Sequence, residues 1–151
     1  MSGPLSPMQQ ALAAARKAGE QDEVPIGAVI VDGATGTIVA MAGNCMEALG
    51  DPTAHAEMLA LRAALAKTGT GRLDGHDLYV TLEPCPMCAA AISFARIRRL
   101  YFGAYDPKSG GVEHGPKVFD HATCHHKPEV VGGLEEEAAA SLLKEFFREK
   151  R

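Results

Sequence analysis

The sequence has no long apolar run. Nowhere do roughly 18 consecutive apolar residues occur, so no membrane-spanning helix and no membrane contact are expected. The first residues, Met1 to Gly19, lack the basic segment and continuous apolar stretch of a secretory signal. Four cysteines are also too few for a disulfide-dense secreted scaffold. These absences favour a cytoplasmic protein.

The composition is that of an ordinary globular protein. The 151 residues are 46% hydrophobic and 23% charged, and they contain no repeat, linker or low-complexity tract, which predicts a single domain over residues 1–151. A net charge of −4 gives no support for a nucleic-acid partner. Basic residues do cluster at 96–99, 125–127 and 144–151, but complementation of helix ends and solubility explain such clusters equally well.

Apolar runs alternate with turn signals in an order typical of an α/β protein. The predicted strands cover residues 25–32, 37–41, 78–82, 100–103 and 129–131. The predicted helices begin after Ser6, at Asp51–Thr53, near Pro86 and after Gly133. This order predicts three layers, with helices on both faces of one buried sheet. Residues 106–128, rich in Gly, Pro and His, are predicted to form a long structured loop.

Two short motifs carry residues that bind metals. His55 opens one predicted helix, and Cys85 and Cys88 lie where a predicted strand passes into another. Zinc prefers thiolate and imidazole ligands, and catalytic sites use three protein ligands so that a water can occupy the fourth position. We therefore predict one Zn²⁺ per chain, held by His55, Cys85 and Cys88. Such a metal lowers the pKa of its water to about 7.

Glu57 is predicted to be the catalytic proton carrier. A fourth protein ligand would close the metal site, so its carboxylate is better placed beside the ion than on it. Residues two apart on a regular helix diverge by about 200°. His55 and Glu57 must therefore reach the same cleft from an irregular first turn or from different depths.

Three other interpretations of the cysteines remain open. Cys85 and Cys88 form a C-x-x-C pair, which also occurs in redox proteins, although no thioredoxin-like βαβ unit is evident. A purely structural zinc site would need a fourth ligand, for which Cys45 and Cys124 are candidates. Residues 124–126, Cys-His-His, could hold a second metal.

The combined pattern H-x-E and P-C-x-x-C resembles that of the cytidine-deaminase-like zinc deaminases. The blocks that flank it are similar to the bacterial tRNA-specific adenosine deaminases and span nearly the whole chain. They read VPIGAVIV, DPTAHAEMLALR, LYVTLEPCPMCAAAI, FGAYDPKSG and LLKEFFREKR.

The resemblance implies an α/β/α fold with a five-stranded mixed sheet and a homodimer that acts on a tRNA anticodon stem-loop. The implied reaction converts the wobble adenosine to inosine and ammonia. Glu57 would take a proton from the water, deliver it to ring N1 and help to protonate the departing amine. Asn44 matches a position that contacts the target nucleoside, and Asp106 matches one that engages a neighbouring nucleotide.

Two alternative functions remain open. A deaminase of free bases or nucleosides, such as guanine or cytosine, would use the same metal and the same Glu57 and differ in its pocket. A zinc-stabilised binding module would have no use for a carboxylate outside the coordination shell, so Glu57 argues against it.

Overall fold

Five strands form one mixed sheet in the computed structural model, which describes residues 5–150. They are β1 (Gly27–Asp32), β2 (Ile38–Gly43), β3 (His76–Leu82), β4 (Arg99–Ala104) and β5 (Glu129–Val131). Their order across the sheet is β2-β1-β3-β4-β5. β1 is antiparallel to both of its neighbours, whereas β3, β4 and β5 are mutually parallel. The predicted five-stranded mixed sheet is confirmed.

Helices cover both faces of this sheet. They are α1 (Pro7–Glu20), α2 (Met46–Leu49), α3 (Ala56–Thr68), α4 (Pro86–Phe94) and α5 (Glu136–Glu149). α1 and α5 pack together on one face, and α3 and α4 pack together on the other. The three-layer α/β/α prediction is therefore confirmed. Between residues 5 and 150, no helix combines the length and apolar character needed to cross a membrane.

Strand β1 lies at the centre of the packing. Ala28 and Ile30 face the core beneath α3 and α4, whereas Val29 and Val31 pack against α1. Because both faces are covered, the strand is apolar almost throughout rather than alternating. Gly27 allows α1 to approach β1 closely, since a Cβ at this position would lie 2.0 Å from the Ala11 carbonyl oxygen. The glycine thus lets α1 lie directly on the sheet.

Most predicted element boundaries agree with the structure within a few residues. Ser6 caps α1 and forms a capping box with Gln9, as a helix that begins at Pro7 requires. The predicted start of the next long helix was wrong, because α3 begins at Ala56 and not at Asp51–Thr53. The Asp51 carboxylate instead accepts hydrogen bonds from the Thr53 amide, 2.8 Å, and hydroxyl, 2.7 Å, which stabilises a turn before the helix.

Candidate active site

The first turns of two helices bring the candidate metal ligands together. His55 is the N-cap of α3, Cys85 is the N-cap of α4, and Cys88 lies in the first turn of α4. Both cap residues have an extended backbone, and their side chains converge with that of Cys88. Helix N-termini favour negative charge, which stabilises thiolates at this position.

The three donor atoms have the spacing of a zinc site. Nδ1 of His55 lies 3.7 Å from Sγ of Cys85 and 3.5 Å from Sγ of Cys88. Tetrahedral zinc, with bonds of about 2.0 Å to nitrogen and about 2.3 Å to sulfur, places such atoms about 3.6 Å apart. All three atoms lie within 4.8 Å of one another. The donor set therefore fits Zn²⁺ in both chemistry and geometry.

Within residues 5–150, no fourth metal-binding side chain joins this group. Over residues 5–150, His55, Cys85 and Cys88 are the one set of metal-binding side chains that converge. Cys124 lies elsewhere, with its sulfur 3.4 Å from the Ser93 hydroxyl and donating to the His126 carbonyl. In that part of the chain, neither Cys45 nor Cys124 joins the donor group, and residues 124–126 do not belong to a second group of three or more converging metal-binding side chains.

The irregular start of α3 explains how His55 and Glu57 share one cleft. His55 has φ −71° and ψ 151°, so the 100° step of a regular helix does not apply between it and Glu57. Glu57 is the second helical residue, and its side chain is buried, with 4% exposed. Its carboxylate lies close to Cys88 and within the electrostatic influence of His55 and Cys85.

The titratable groups of the cleft are strongly perturbed. The pKa of Glu57 is raised to about 7, mainly by burial; negative charge on Cys85 contributes to this rise, whereas the Glu57 amide, His55 and Cys88 oppose it. A hydrogen bond from Cys88 lowers the pKa of the Cys85 thiol to about 5, helped by the backbone amides of α4. The same hydrogen bond, together with burial, raises the pKa of Cys88. Without a metal, the two sulfurs therefore share one proton, and both must ionise to bind zinc.

Asn44 lies at the end of β2, beside the first turn of α3. Its side-chain oxygen accepts a hydrogen bond of 2.8 Å from the Ala56 amide, and only 6% of the residue is exposed. The N–H of Asn44 donates to the Ile26 carbonyl at 3.0 Å. Because the Ala56 amide must face an acceptor, the Nδ2 donors of Asn44 point the other way.

Asp106 lies in the loop after β4. Its Oδ1 accepts from the amides of Lys108 and Ser109, at 3.2 and 3.0 Å, so the carboxylate fixes its own turn. The loop packs on the metal-binding turn, because the Gly111 amide donates to the Pro84 carbonyl at 2.8 Å. The sequence-based prediction of a long structured loop in this region is confirmed, with one short 3-10 turn at Val118–Asp120.

Two buried carboxylates near these loops were not predicted. Glu23 and Glu83 are each 2% exposed. Burial acts to raise the pKa of Glu83, but hydrogen bonds from backbone amides and from His114 outweigh it and hold that pKa below its ordinary value. A glutamate set between apolar residues and a proline, as in Leu82-Glu83-Pro84, was the available signal.

Four residues of the basic clusters form ion pairs. These pairs join Arg98 to Asp77, Arg99 to Glu129, Lys127 to Asp120 and Lys150 to Asp22. Such pairing agrees with a role in solubility and in complementing neighbouring charges. The clusters therefore add no separate argument for an RNA partner.

The sequence of this chain matches a known family model. Residues 3–104 match the cytidine and deoxycytidylate deaminase zinc-binding region, which contains all three candidate ligands. The tRNA-specific adenosine deaminase of Agrobacterium fabrum is 59% identical over 144 residues, covering 95% of this chain and 93% of that protein. The enzyme of the same name from Bacillus subtilis is 46% identical, with 95% and 88% covered. This chain belongs to the tRNA-specific adenosine deaminase family.

Solved structures agree with this family assignment. One, from biochemical and structural studies of A-to-I editing by tRNA:A34 deaminases at the wobble position of transfer RNA, superposes with a TM-score of 0.88 at 58% identity. The superposition covers 91% of this chain and 98% of the chain in that structure. A guanine deaminase from Nitrosomonas europaea gives a TM-score of 0.77 at 26% identity, with 97% and 85% covered.

Family membership and site geometry together define the chemistry. As a tRNA-specific adenosine deaminase family member with a His/Cys/Cys donor group, the protein is a zinc-dependent hydrolytic deaminase that binds one Zn²⁺ per chain. The redox interpretation of the C-x-x-C pair is thereby replaced by a metal-binding one.

Proposed function

We propose that this protein deaminates the wobble adenosine of a tRNA anticodon loop, giving inosine and ammonia. The observation that carries the proposal is a three-donor zinc group with an uncoordinated, buried carboxylate beside it. The family supplies the substrate class, because relatives at 59% and 46% identity are tRNA-specific adenosine deaminases.

In this proposal His55, Cys85 and Cys88 hold the ion through Nδ1 and two Sγ atoms. Zinc in such a site lowers the pKa of a coordinated water to about 7 and so supplies a nucleophile at neutral pH. The three side chains would hold the ion in one place, because His55 and Cys85 occupy helix N-cap positions and Cys88 is buried.

Glu57 moves the protons. Its carboxylate would accept a proton from water as the oxygen attacks C6, and would deliver that proton to ring N1. As the C6–N6 bond breaks, Glu57 would take the proton of the new C6 hydroxyl group and pass it to the departing amine, so water and adenosine become inosine and ammonia. The pKa of this carboxyl group is about 7 in the metal-free cleft, and a bound zinc ion would lower it, which favours the ionised form that accepts the first proton.

Asn44 and Asp106 provide the substrate contacts of this proposal. The Nδ2 donors of Asn44 would bind the target nucleoside, since its Oδ1 is already used by the Ala56 amide. Asp106 would engage a neighbouring nucleotide from the loop after β4. A base in an anticodon loop is already unpaired, so extruding it into the cleft requires little disruption.

We also infer that residues 1–151 form one deaminase domain, that the protein works in the cytoplasm and that it forms a homodimer. An apolar groove of about 430 Å³ beside α4 supports a dimer, with Pro86, Ala90 and Val118 among its lining residues. Phe94 at its rim is 79% exposed. A second copy that covers this groove would bury the phenylalanine ring.

One experiment separates the proposed function from its alternative. The purified protein is given an anticodon stem-loop with a wobble adenosine, together with free guanine, cytosine and adenosine. Inosine that appears only in the RNA supports the proposal. Xanthine or uracil without inosine would favour a free-base deaminase, the activity named for the structurally similar Nitrosomonas europaea enzyme.

A further inference from the structure

Two buried glutamates outside the metal centre each bind backbone amides of one loop. Glu23 precedes β1, and Glu83 follows β3, and both are almost completely buried. A buried carboxylate must be fully hydrogen-bonded, because an unpaired one is very unfavourable in a protein interior. Their partners are mainly main-chain N–H groups, so the two carboxylates determine loop conformation.

Glu83 joins the two ends of one loop. Its Oε1 accepts from the Asp106 amide at 3.0 Å and contacts Nδ1 of His114 at 2.8 Å. Its Oε2 accepts from the amides of Val112, Glu113 and His114, at 3.2, 2.9 and 3.1 Å. One side chain therefore closes residues 106–114 into a ring that includes Asp106.

The position of Glu83 also ties this ring to the metal centre. Glu83 lies two residues before Cys85 on the same connection between β3 and α4. At Gly111 an added Cβ would lie 2.6 Å from the Pro86 nitrogen, so the ring packs directly on the turn that carries Cys85. Glu83 thus fixes the distance between the metal-binding turn and Asp106.

Glu23 holds residues 44–48 in place in a similar way. Its two oxygens accept from the amides of Glu47 and Ala48, at 3.0 and 2.8 Å, in the first turn of α2. The N-cap of α2, Cys45, makes no capping hydrogen bond of its own, so Glu23 supplies the missing acceptor. Asn44 directly precedes Cys45, so the segment that Glu23 holds also carries Asn44.

We propose that Glu23 and Glu83 are positioning residues at the rim of the metal cleft. Glu23 holds residues 44–48, the Asn44 loop, and Glu83 holds residues 106–114, the Asp106 loop. The proposal rests on the proposed function for the roles of Asn44 and Asp106. It assigns recognition of substrate to two loops held in place by buried anions, whereas the metal and Glu57 lie on helices.

The test compares Glu23→Gln and Glu83→Gln, with Glu20→Gln as a matched control on the exposed end of α1. Glutamine keeps the size but turns an NH2 group towards backbone N–H donors, which weakens the anchoring. In Glu83→Gln, hydrogen exchange at residues 112–114 should rise at least about tenfold while residues 47–48 stay unchanged. Glu23→Gln should give the reverse pattern, and the control should change neither.

Steady-state kinetics give the functional readout. Both variants should keep one zinc per chain and raise KM for the stem-loop at least about fivefold, with a smaller change in kcat. Glu83→Asp, which restores the charge, should recover part of the affinity, and it replaces Glu83→Gln if that variant does not fold. A merely structural residue would lower the unfolding temperature without moving KM.

Three results would overturn the proposal: unchanged exchange in the anchored loop, faster exchange with an unchanged KM, or loss of zinc in either variant. The exchange measurement needs no substrate, so it is independent of the proposed function. If the wild type converts a free base instead of the stem-loop, the proposed function fails, and KM is then measured with that base to decide whether the loops position the substrate.

Discussion

Nδ1 of His55 lies 3.5 Å from Sγ of Cys88, although 33 positions separate the two residues in the sequence. The helices that carry them pack together on one face of the sheet through Ala60, Ala89 and Ile92, among other core residues. The ligand geometry is therefore set by core packing and not by a local loop. Such a site is preorganised for a metal, because the helices are held in place by the burial of their apolar faces.

Replacing Glu57 with Gln should abolish turnover but keep the metal. The amide has the shape of the carboxyl group but cannot accept and release a proton, so kcat should fall at least about 10²-fold. Inosine formation measures activity, and elemental analysis measures zinc. A Glu57→Gln protein that kept a tenth of wild-type activity would contradict the proton-transfer role.

Cys88→Ser should lower the zinc content well below one per chain, because a hydroxyl group is a much poorer zinc ligand than a thiolate. Cys124→Ser is the matched control, since Cys124 lies outside the donor group and contacts Ser93 instead. The control should keep its full zinc content. A full equivalent of zinc in the Cys88 variant would show that this sulfur is not a ligand.

Asn44→Asp separates the two ends of the Asn44 amide group. Aspartate still offers an acceptor to the Ala56 amide but removes the donors proposed to bind the nucleoside. We expect near-normal thermal stability with kcat/KM at least about tenfold lower.

Asn44→Ala provides the comparison, because it removes the acceptor as well. It leaves the Ala56 amide unpaired, so it should also reduce the free energy of unfolding by about 1–3 kcal/mol. Full activity in the Asp variant would exclude a donor role for Asn44.

The free energy of unfolding of the metal-free protein should depend on pH, because the carboxyl group of Glu57 is buried. Because the folded-state pKa is raised to about 7 from 4.5, the folded protein retains a proton that the unfolded chain has lost between these values. This contribution to stability is fully present below pH 4.5 and is lost as the pH rises to about 7.

Glu57→Gln, which cannot titrate, is the reference for this measurement. After zinc is chelated, the stability of the variant relative to the wild type should increase by on the order of 3 kcal/mol between about pH 4.5 and neutral pH. Denaturant unfolding at several pH values between 4 and 8 measures the difference. A difference that did not vary with pH would contradict the raised pKa.

Local sequence signals were sufficient for most of the fold. Ser6 followed by Pro7 predicted the start of α1, and the continuous apolar run at β1 predicted a strand covered on both faces. Residue type and spacing also indicated His55, Cys85 and Cys88 as a group that could bind zinc, and the structure brings their donor atoms together. Neighbouring residues determine where α1 and β1 lie and which side chains can bind zinc, so these features can be predicted from the sequence, whereas the distances between the donor atoms depend on core packing.

Features that depend on distant contacts were not predictable. α2 is four residues long and has no capping side chain of its own, because its acceptor is Glu23, 24 positions earlier than Glu47. The start of α3 was placed too early because Asp51 and Thr53 look like capping residues, whereas they cap a turn. Glu83 was missed for the same reason, since its partners lie 23 to 31 positions away.

The division between helix-borne ligands and anchored loops has a consequence for how such enzymes diversify. The residues proposed to carry out the chemistry are held by the packing of α3 and α4, so substitutions elsewhere that leave this packing intact should leave their arrangement unchanged. The residues proposed to select the substrate occupy two short segments, each fastened at a few points. Substitutions in these two segments can therefore change the substrate while the zinc-binding residues and Glu57 stay in place.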